Sequence, residues 1–226
     1  MFSMSMGIKP NSYSRSFTYT LGKDKAIIKT SELERDLGVL LSNDLKWGSH
    51  CRKVAATANR VLGRLKHTFV NRSSVLWKKI YIAYVRPHLE FAAQIWSPYL
   101  ECDIKTIEAV QRRATRTPHK LRDKPYEERC RLWNIQTLRR RRVRGDLIQK
   151  FKIEKNLDKV NWFMEPPAIF KPSGRKKFHR EPLTGCDQRY EFFNKSSKFA
   201  WNALPEWVVE VENVGNFKKI IDDLST

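Results

Sequence analysis

From Trp47 onward the apolar positions recur at steps of three and four. Cys51, Val54, Ala55, Ala58, Val61, Leu62, Leu65 and Phe69 fall on one stripe, while Arg52, Lys53, Arg60, Arg64 and Lys66 largely take the remaining surface. That pattern predicts a long first helix. Ser73 or Ser74 is placed to cap a second one through Val75, Leu76, Ile80 and Tyr84. Pro87 should end or kink it, because proline offers no N–H to the carbonyl four residues back. Leu89, Ala92, Ala93 and Trp96 then predict that the helix resumes before Ser97-Pro98. Asp103 reads as the N-cap of a third helix, with Ile104, Ile107, Val110 and Ala114 along its inner side. Pro118 and Pro125 bracket a basic connection, followed by a short helix from Tyr126 to Trp133 and a longer one from Thr137 to about Ile153.

Both ends of the chain read differently. Phe17–Leu21 and Ala26–Thr30 flank the turn-like cluster Gly22-Lys-Asp-Lys25, and Asp36–Ser42 is a third short apolar run, which predicts a small β region. Such a sheet buries one face at best and needs other structure against it. Beyond Glu154, Pro166-Pro167, Pro172-Ser-Gly174, Arg175-Lys-Lys177 and Pro182 break any period up to Arg189, so this stretch is expected to be an irregular connection. Order returns with Tyr190–Phe193, Phe199, Trp201 and Leu204, and a closing helix runs from near Asn213 through Phe217, Ile220, Ile221 and Leu224. The expected fold is mainly α, with a small N-terminal hairpin or short sheet. Its expected parts are a β region at 1–43, a basic helical domain at 44–153, an irregular connection at 154–189 and a C-terminal helical segment at 190–226.

Composition supports a packed protein. Of 226 residues, 41% are hydrophobic and 12% aromatic, with seven Trp, enough for a core. No apolar run approaches the roughly 20 residues of a membrane span. Met1–Gly7 lacks a secretory signal pattern, and Cys51, Cys102, Cys130 and Cys186 stand far apart, which points to a reduced, intracellular chain in nucleus or cytoplasm.

Charge changes the picture most. Forty-four Lys plus Arg against 24 Asp plus Glu give a formal net charge of +20, which implies a polyanionic partner. Between Arg112 and Lys152 there are fifteen Lys or Arg and only four acids. Arginine pairs bidentately with phosphate, and several such contacts give salt-dependent affinity with little sequence preference. A solvated helix face accounts for isolated lysines, but not for this arginine concentration. Arg112, Arg113, Arg116, Arg139, Arg140, Arg141 and Arg144 are therefore the candidate phosphate contacts, with Arg52, Arg60 and Arg64 as secondary candidates. Arg142, one turn after Leu138, should point partly inward and find a carboxylate or a phosphate. Trp133 and Trp162 are expected to serve the core more readily than to stack on bases.

Catalytic and metal chemistry is not indicated. Two-metal phosphoryl transfer needs converging carboxylates, and the strand region offers only Asp24, in a turn, and Asp36. Asp222-Asp223 reads as a solvated helix face. The five His form neither an HExxH nor a zinc spacing, and no Gly-rich phosphate loop occurs. No small-molecule substrate or membrane partner is suggested, and the oligomeric state is open.

One stretch resembles a known family. Val85-Arg-Pro-His-Leu-Glu-Phe-Ala-Ala-Gln-Ile-Trp-Ser-Pro-Tyr99, Ile107-Glu-Ala-Val-Gln-Arg-Arg-Ala-Thr-Arg116 and Tyr126-Glu-Glu-Arg-Cys-Arg-Leu132 look like the region downstream of the polymerase core in reverse transcriptases of non-LTR retrotransposons, of the jockey and chicken-repeat type. Asp36-Leu-Gly-Val39 and Ser42–Lys46 before it, Leu138–Lys152 after it, and Trp201-Asn-Ala-Leu-Pro205 with Phe217-Lys-Lys near the end extend the likeness in order. Phe91 stands where that family usually has Tyr, and Cys130 where it has Leu. The resemblance implies the last strands of a polymerase palm, a helical thumb and the region after it. It implies partners in an RNA template and an RNA–DNA or DNA duplex. The family's aromatic-x-Asp-Asp motif is missing from the strand region, so no activity is expected of this chain alone and Mg²⁺ is expected only with the catalytic palm. A free-standing basic helical RNA- or DNA-binding module, reused by its host, is the alternative.

Overall fold

The computed structural model describes residues 31–160 and 193–224, together with short strand segments at 2–3, 20–21, 26–27, 29–30, 168–170 and 176–178. The protein is mainly helical, with small two-stranded sheets at its N-terminal end. Strand β1 (Phe2–Ser3) pairs parallel with β4 (Lys29–Thr30), and β2 (Thr20–Leu21) pairs antiparallel with β3 (Ala26–Ile27); the expected turn at 22–25 lies outside the described residues. The run Asp36–Ser42 is a hairpin corner and one strand, not a strand throughout. β5 (Leu33–Asp36) turns at Leu37-Gly38 into β6 (Val39–Ser42), with Asp36 opposite Val39 and Leu33 opposite Ser42. Leu37 and Gly38 both have positive φ, 44° and 91°, as a type I′ turn requires.

Helix α1 (Gly48–Thr68) buries Cys51, Ala55, Ala58 and Leu62 as its stripe predicts, and packs on α4 (Glu101–Thr115). His50 is buried as well; its Nδ1 accepts the Leu40 N–H at 3.1 Å, which ties the hairpin to this helix. No acid lies in the first turn of α1, but Asp103 reaches it from α4: a Cβ on Gly48 would stand 3.3 Å from Asp103 Oδ1. Asp103 is thus not the cap of α4, whose N-cap is Leu100. It is a buried first-turn carboxylate facing the positive end of a neighbouring helix.

Ser73 caps α2 (Ser74–Ile80), its hydroxyl accepting the Leu76 N–H at 3.4 Å. The chain then passes through a π-helical turn, Tyr81–Val85, into α3 (Arg86–Glu90), with Pro87 in the first turn of α3. The Arg86 N–H bonds five residues back to Tyr81 O. The wider turn lets the chain absorb the proline without a break. It also rotates the inner face, so that Trp77, Ile80, Tyr81, Val85 and Leu89 are buried while Val75 and Tyr84 are exposed. The helix does not resume after Glu90. Ala92 sits at φ 51°, and Trp96 Nε1 donates to Phe91 O at 2.7 Å, closing the chain on itself.

Helix α5 (Tyr126–Trp133) ends on Asn134 in the left-handed region, and Thr137 caps α6 (Leu138–Glu154), accepting the Arg140 N–H at 3.3 Å. The first half of α6 closes the main core, with Leu138 against residues from α1 to α5. Its second half nucleates another core: Leu147 and Phe151 pack with Trp201 of α7 (Phe193–Ala203), Val208 of α8 (Glu206–Glu210) and Phe217 and Ile221 of α9 (Val214–Leu224). The Phe151 and Phe217 rings stack 4.0 Å apart. Phe199 and Leu224 are exposed. Within the stretch expected to be irregular, β7 (Ala168–Phe170) pairs antiparallel with β8 (Lys176–Phe178). Among the described residues no helix is long and apolar enough to cross a membrane.

Candidate nucleic-acid interface

Where the C-terminal end of α4 meets the end of α1, basic side chains gather around a concavity of about 600 Å³. Arg112, Arg113 and Arg116, three of the candidates, line it from α4. Lys66 and Arg72 join from the far side, and His119, Arg122 and Arg129 from the connection and α5. Among the described residues, seven Lys or Arg line this space and no carboxylate does. Among the described residues, none of the seven forms an ion pair.

Neutral oxygens hold these cations instead of acids. Arg113 donates to Asn59 Oδ1, Arg72 Nη2 to Lys66 O at 3.3 Å, and Arg129 Nη1 to Arg112 O at 2.9 Å. The Arg112 guanidinium lies over the Tyr126 ring, 4.4 Å from its centre, with that of Arg129 5.6 Å away. Cations at a helix C-terminus complement the dipole, but that is worth only about 0.3–1 kcal/mol each at a surface. Crowding works the other way. Burial, with Arg113 and Arg72 close by, pulls the Lys66 ammonium below its ordinary value, and burial likewise lowers Arg129. Each shift means that the charged form gives up some solvation to stand here.

Tyr126, whose ring lies beneath the Arg112 guanidinium, is part of a buried network. Its hydroxyl donates to Glu108 and accepts from Gln111 Nε2 at 2.8 Å, and Gln111 Oε1 accepts from Tyr81 at 2.7 Å. Glu108 also takes the Leu138 N–H, 3.1 Å from Oε2, at the start of α6. Burial and the Glu108 carboxylate push the Tyr126 phenol well up, so it stays a neutral donor. One set of bonds thus fixes α4, α5 and the start of α6, and with them the basic wall.

The α6 candidates have other partners. Arg141 forms a bidentate pair with Glu90, with Nη2 to Oε2 at 2.9 Å, and Arg144 one with Asp222, 2.5 and 2.8 Å. Arg139 pairs with Glu101 at 2.9 Å on the surface. Asp222 is accordingly an interhelix partner rather than only a solvated acid. Arg142 does turn inward, 8% exposed, and among the described residues it meets backbone carbonyls rather than a carboxylate. Its guanidinium donates to Trp96 O at 3.0 Å and Leu89 O at 2.8 Å and stacks 4.1 Å over the Trp96 ring, capping carbonyls that the break after Glu90 leaves open. Arg140 is exposed on α6, and Arg52, Arg60 and Arg64 are exposed on α1; Arg52 Nη2 donates to Ser49. Trp133 is core, donating to Ser74 Oγ at 2.9 Å; Trp162 and Asp24 lie outside the described residues.

No protein-family model, curated protein or solved structure matches the chain. The site therefore rests on its own geometry. Cys51, Cys102 and Cys130 are free thiols, and burial lifts Cys51 to about 12; Cys186 lies outside the described residues. Among the described residues no group of His, Cys, Asp or Glu is placed to hold a metal ion. What the concavity can do is donate hydrogen bonds and charge to an anion. The arginine count finds Arg112, Arg113 and Arg116, and includes Arg122 and Arg129 without singling them out. Arg72 carries no signal in the sequence, since only the tertiary fold brings it there.

Proposed function

We propose that the chain is the nucleic-acid-gripping part of a reverse transcriptase of the non-LTR retrotransposon type, holding the backbone of an RNA template and its RNA–DNA or DNA duplex without carrying the catalytic Asp-Asp pair. The observation that supports this is the concavity that, among the described residues, is lined by seven Lys or Arg and no carboxylate. Backbone phosphates are met there by guanidinium groups already oriented by carbonyls and by the Tyr126 ring, so little side-chain freedom is lost on contact. Such contacts position and retain a strand without reading its sequence. The collinear motifs from Asp36 to Lys219 support the family reading. Arg112, Arg113 and Arg116 carry the main contact, Arg140, Arg52, Arg60 and Arg64 extend it, and Arg139, Arg141 and Arg144 serve α6 first.

The test is binding of an RNA–DNA duplex across a salt series, comparing the wild type with the triple variant Arg112→Gln, Arg116→Gln, Arg122→Gln. Loss of up to three phosphate contacts lowers the slope of log K against log salt by about 2 to 3. An unchanged slope overturns the assignment. A free-standing basic module reused by the host is the second reading, favoured by the two cores the chain builds from its own side chains. Cooperative thermal unfolding of the isolated chain is its expected signature.

A further inference from the structure

Arg129 is 7% exposed, lines the concavity, and among the described residues its Nε has no hydrogen-bond partner. A buried donor without an acceptor is unfavourable unless a ligand completes it. The same side chain borders a second, more open hollow together with Arg112, Arg116 and Arg122, where Asp123 and Glu127 also stand, so these four arginines line both spaces while the carboxylates line only the second. A duplex backbone is convex and meets side chains at a surface. It does not carry its internal phosphates down to a residue as buried as Arg129, whereas the end of a strand can enter. An internal phosphodiester bears a single negative charge; a terminal phosphomonoester bears about −1.5 to −2 and presents three free oxygens.

From this geometry we infer that the concavity is a receptor for the terminal phosphate of a nucleic-acid strand, with Arg129 at its base and Arg112, Arg116 and Arg122 around it. The inference rests on the basic surface already assigned to nucleic acid and narrows its ligand from backbone to strand end. Tyr126 keeps two of the guanidinium groups in place by stacking, and the Arg112 carbonyl holds Arg129 through Nη1, leaving Nε for the incoming oxygen.

Four oligonucleotides of one sequence, with a 5′-phosphate, a 3′-phosphate, both or neither, decide the matter when their affinities are measured at fixed salt. One phosphorylated end should bind roughly tenfold or more tightly than the hydroxyl form, as expected when charge-assisted hydrogen bonds are added. Which arm gains identifies the strand end. The ratio should fall toward one in Arg122→Gln, an exposed residue whose replacement leaves the core untouched, and in Arg129→Lys, which keeps the charge and loses the fork. Equal binding of all four forms overturns the inference while leaving the nucleic-acid reading intact. If none binds, that reading fails. Calorimetric titration with pyrophosphate then decides the site alone: heat that disappears in Arg122→Gln supports it, and no heat overturns it.

Discussion

Gly38 combines two demands that other residues fail. Its φ of 91° is one L side chains rarely adopt, and an added Cβ would lie 3.3 Å from Phe91 Cε1. Gly38→Ala should cost about 1–3 kcal/mol, read by urea denaturation. Two titratable groups, the buried His50 and the half-buried Asp146, make a paired prediction. Burial, with Lys53 and Arg142 adding, pulls His50 from 6.5 to about 4; burial, countered by Arg142, lifts Asp146 from 3.8 to about 7. His50 stays neutral in the folded chain, so its contribution is present above 6.5 and lost as pH falls toward 4. Asp146 holds its proton in the folded chain, so its cost is absent below 3.8 and grows as pH rises to about 7. Between about pH 4 and 6.5 the two slopes oppose each other. Asp146→Asn should therefore gain stability over the wild type progressively as pH rises from 4 to 7, measured by denaturation at several pH values. A gap that does not change with pH contradicts the assignment.

Helix ends and inner stripes are the most legible features at the scale of elements. The bounds of α5 and the Thr137 cap of α6 follow from Pro125 and from a threonine before an apolar position, because both act within one turn. The stripe of α1 is legible for the same reason. The inner face through Trp77 and Tyr81 is not, since a 3.6 period does not describe a chain with a π turn in it. Nor are the partners of Arg139, Arg141 and Arg144, whose acids stand 38 to 78 residues away. Half of the candidate site was visible as composition; its division into a free basic wall and a paired helix was not. Where α6 begins, Thr137→Ala removes one cap bond and should cost about 1 kcal/mol. Glu108→Ala leaves the Tyr126 hydroxyl and the Leu138 N–H without their shared acceptor and should cost more, about 2–4 kcal/mol, in the same denaturation experiment.

At the scale of the whole molecule, α6 is shared by two cores of unequal size. Among the described residues, the main core holds seventeen buried apolar residues and the C-terminal one six. Trp201 is fully buried in the smaller, where truncation to Ala should cost about 3–5 kcal/mol. That exceeds what so small a core can hold by itself. Trp201→Ala should release amide protection in α7–α9 while α1 and α4 keep theirs, as read by hydrogen exchange. Duplex binding should survive, because the basic wall stands on the larger core. Loss of protection in α1 would mean that the two cores unfold as one.

The π turn at Tyr81–Val85 makes residue count, rather than residue identity, the quantity this stretch encodes. Trp77, Tyr81, Val85 and Leu89 stay on one side only because they are spaced by four. Removing one residue from the turn would narrow it toward ordinary α geometry and set Pro87 against the carbonyl four residues back. It would also swing all that follows by about 100°. Glu90 would leave Arg141, Leu89 O would leave Arg142, and Phe91 would leave Gly38. The irregularity thus sets the phase between the two halves of the helical layer: tolerant of conservative replacement, and intolerant of any change in length.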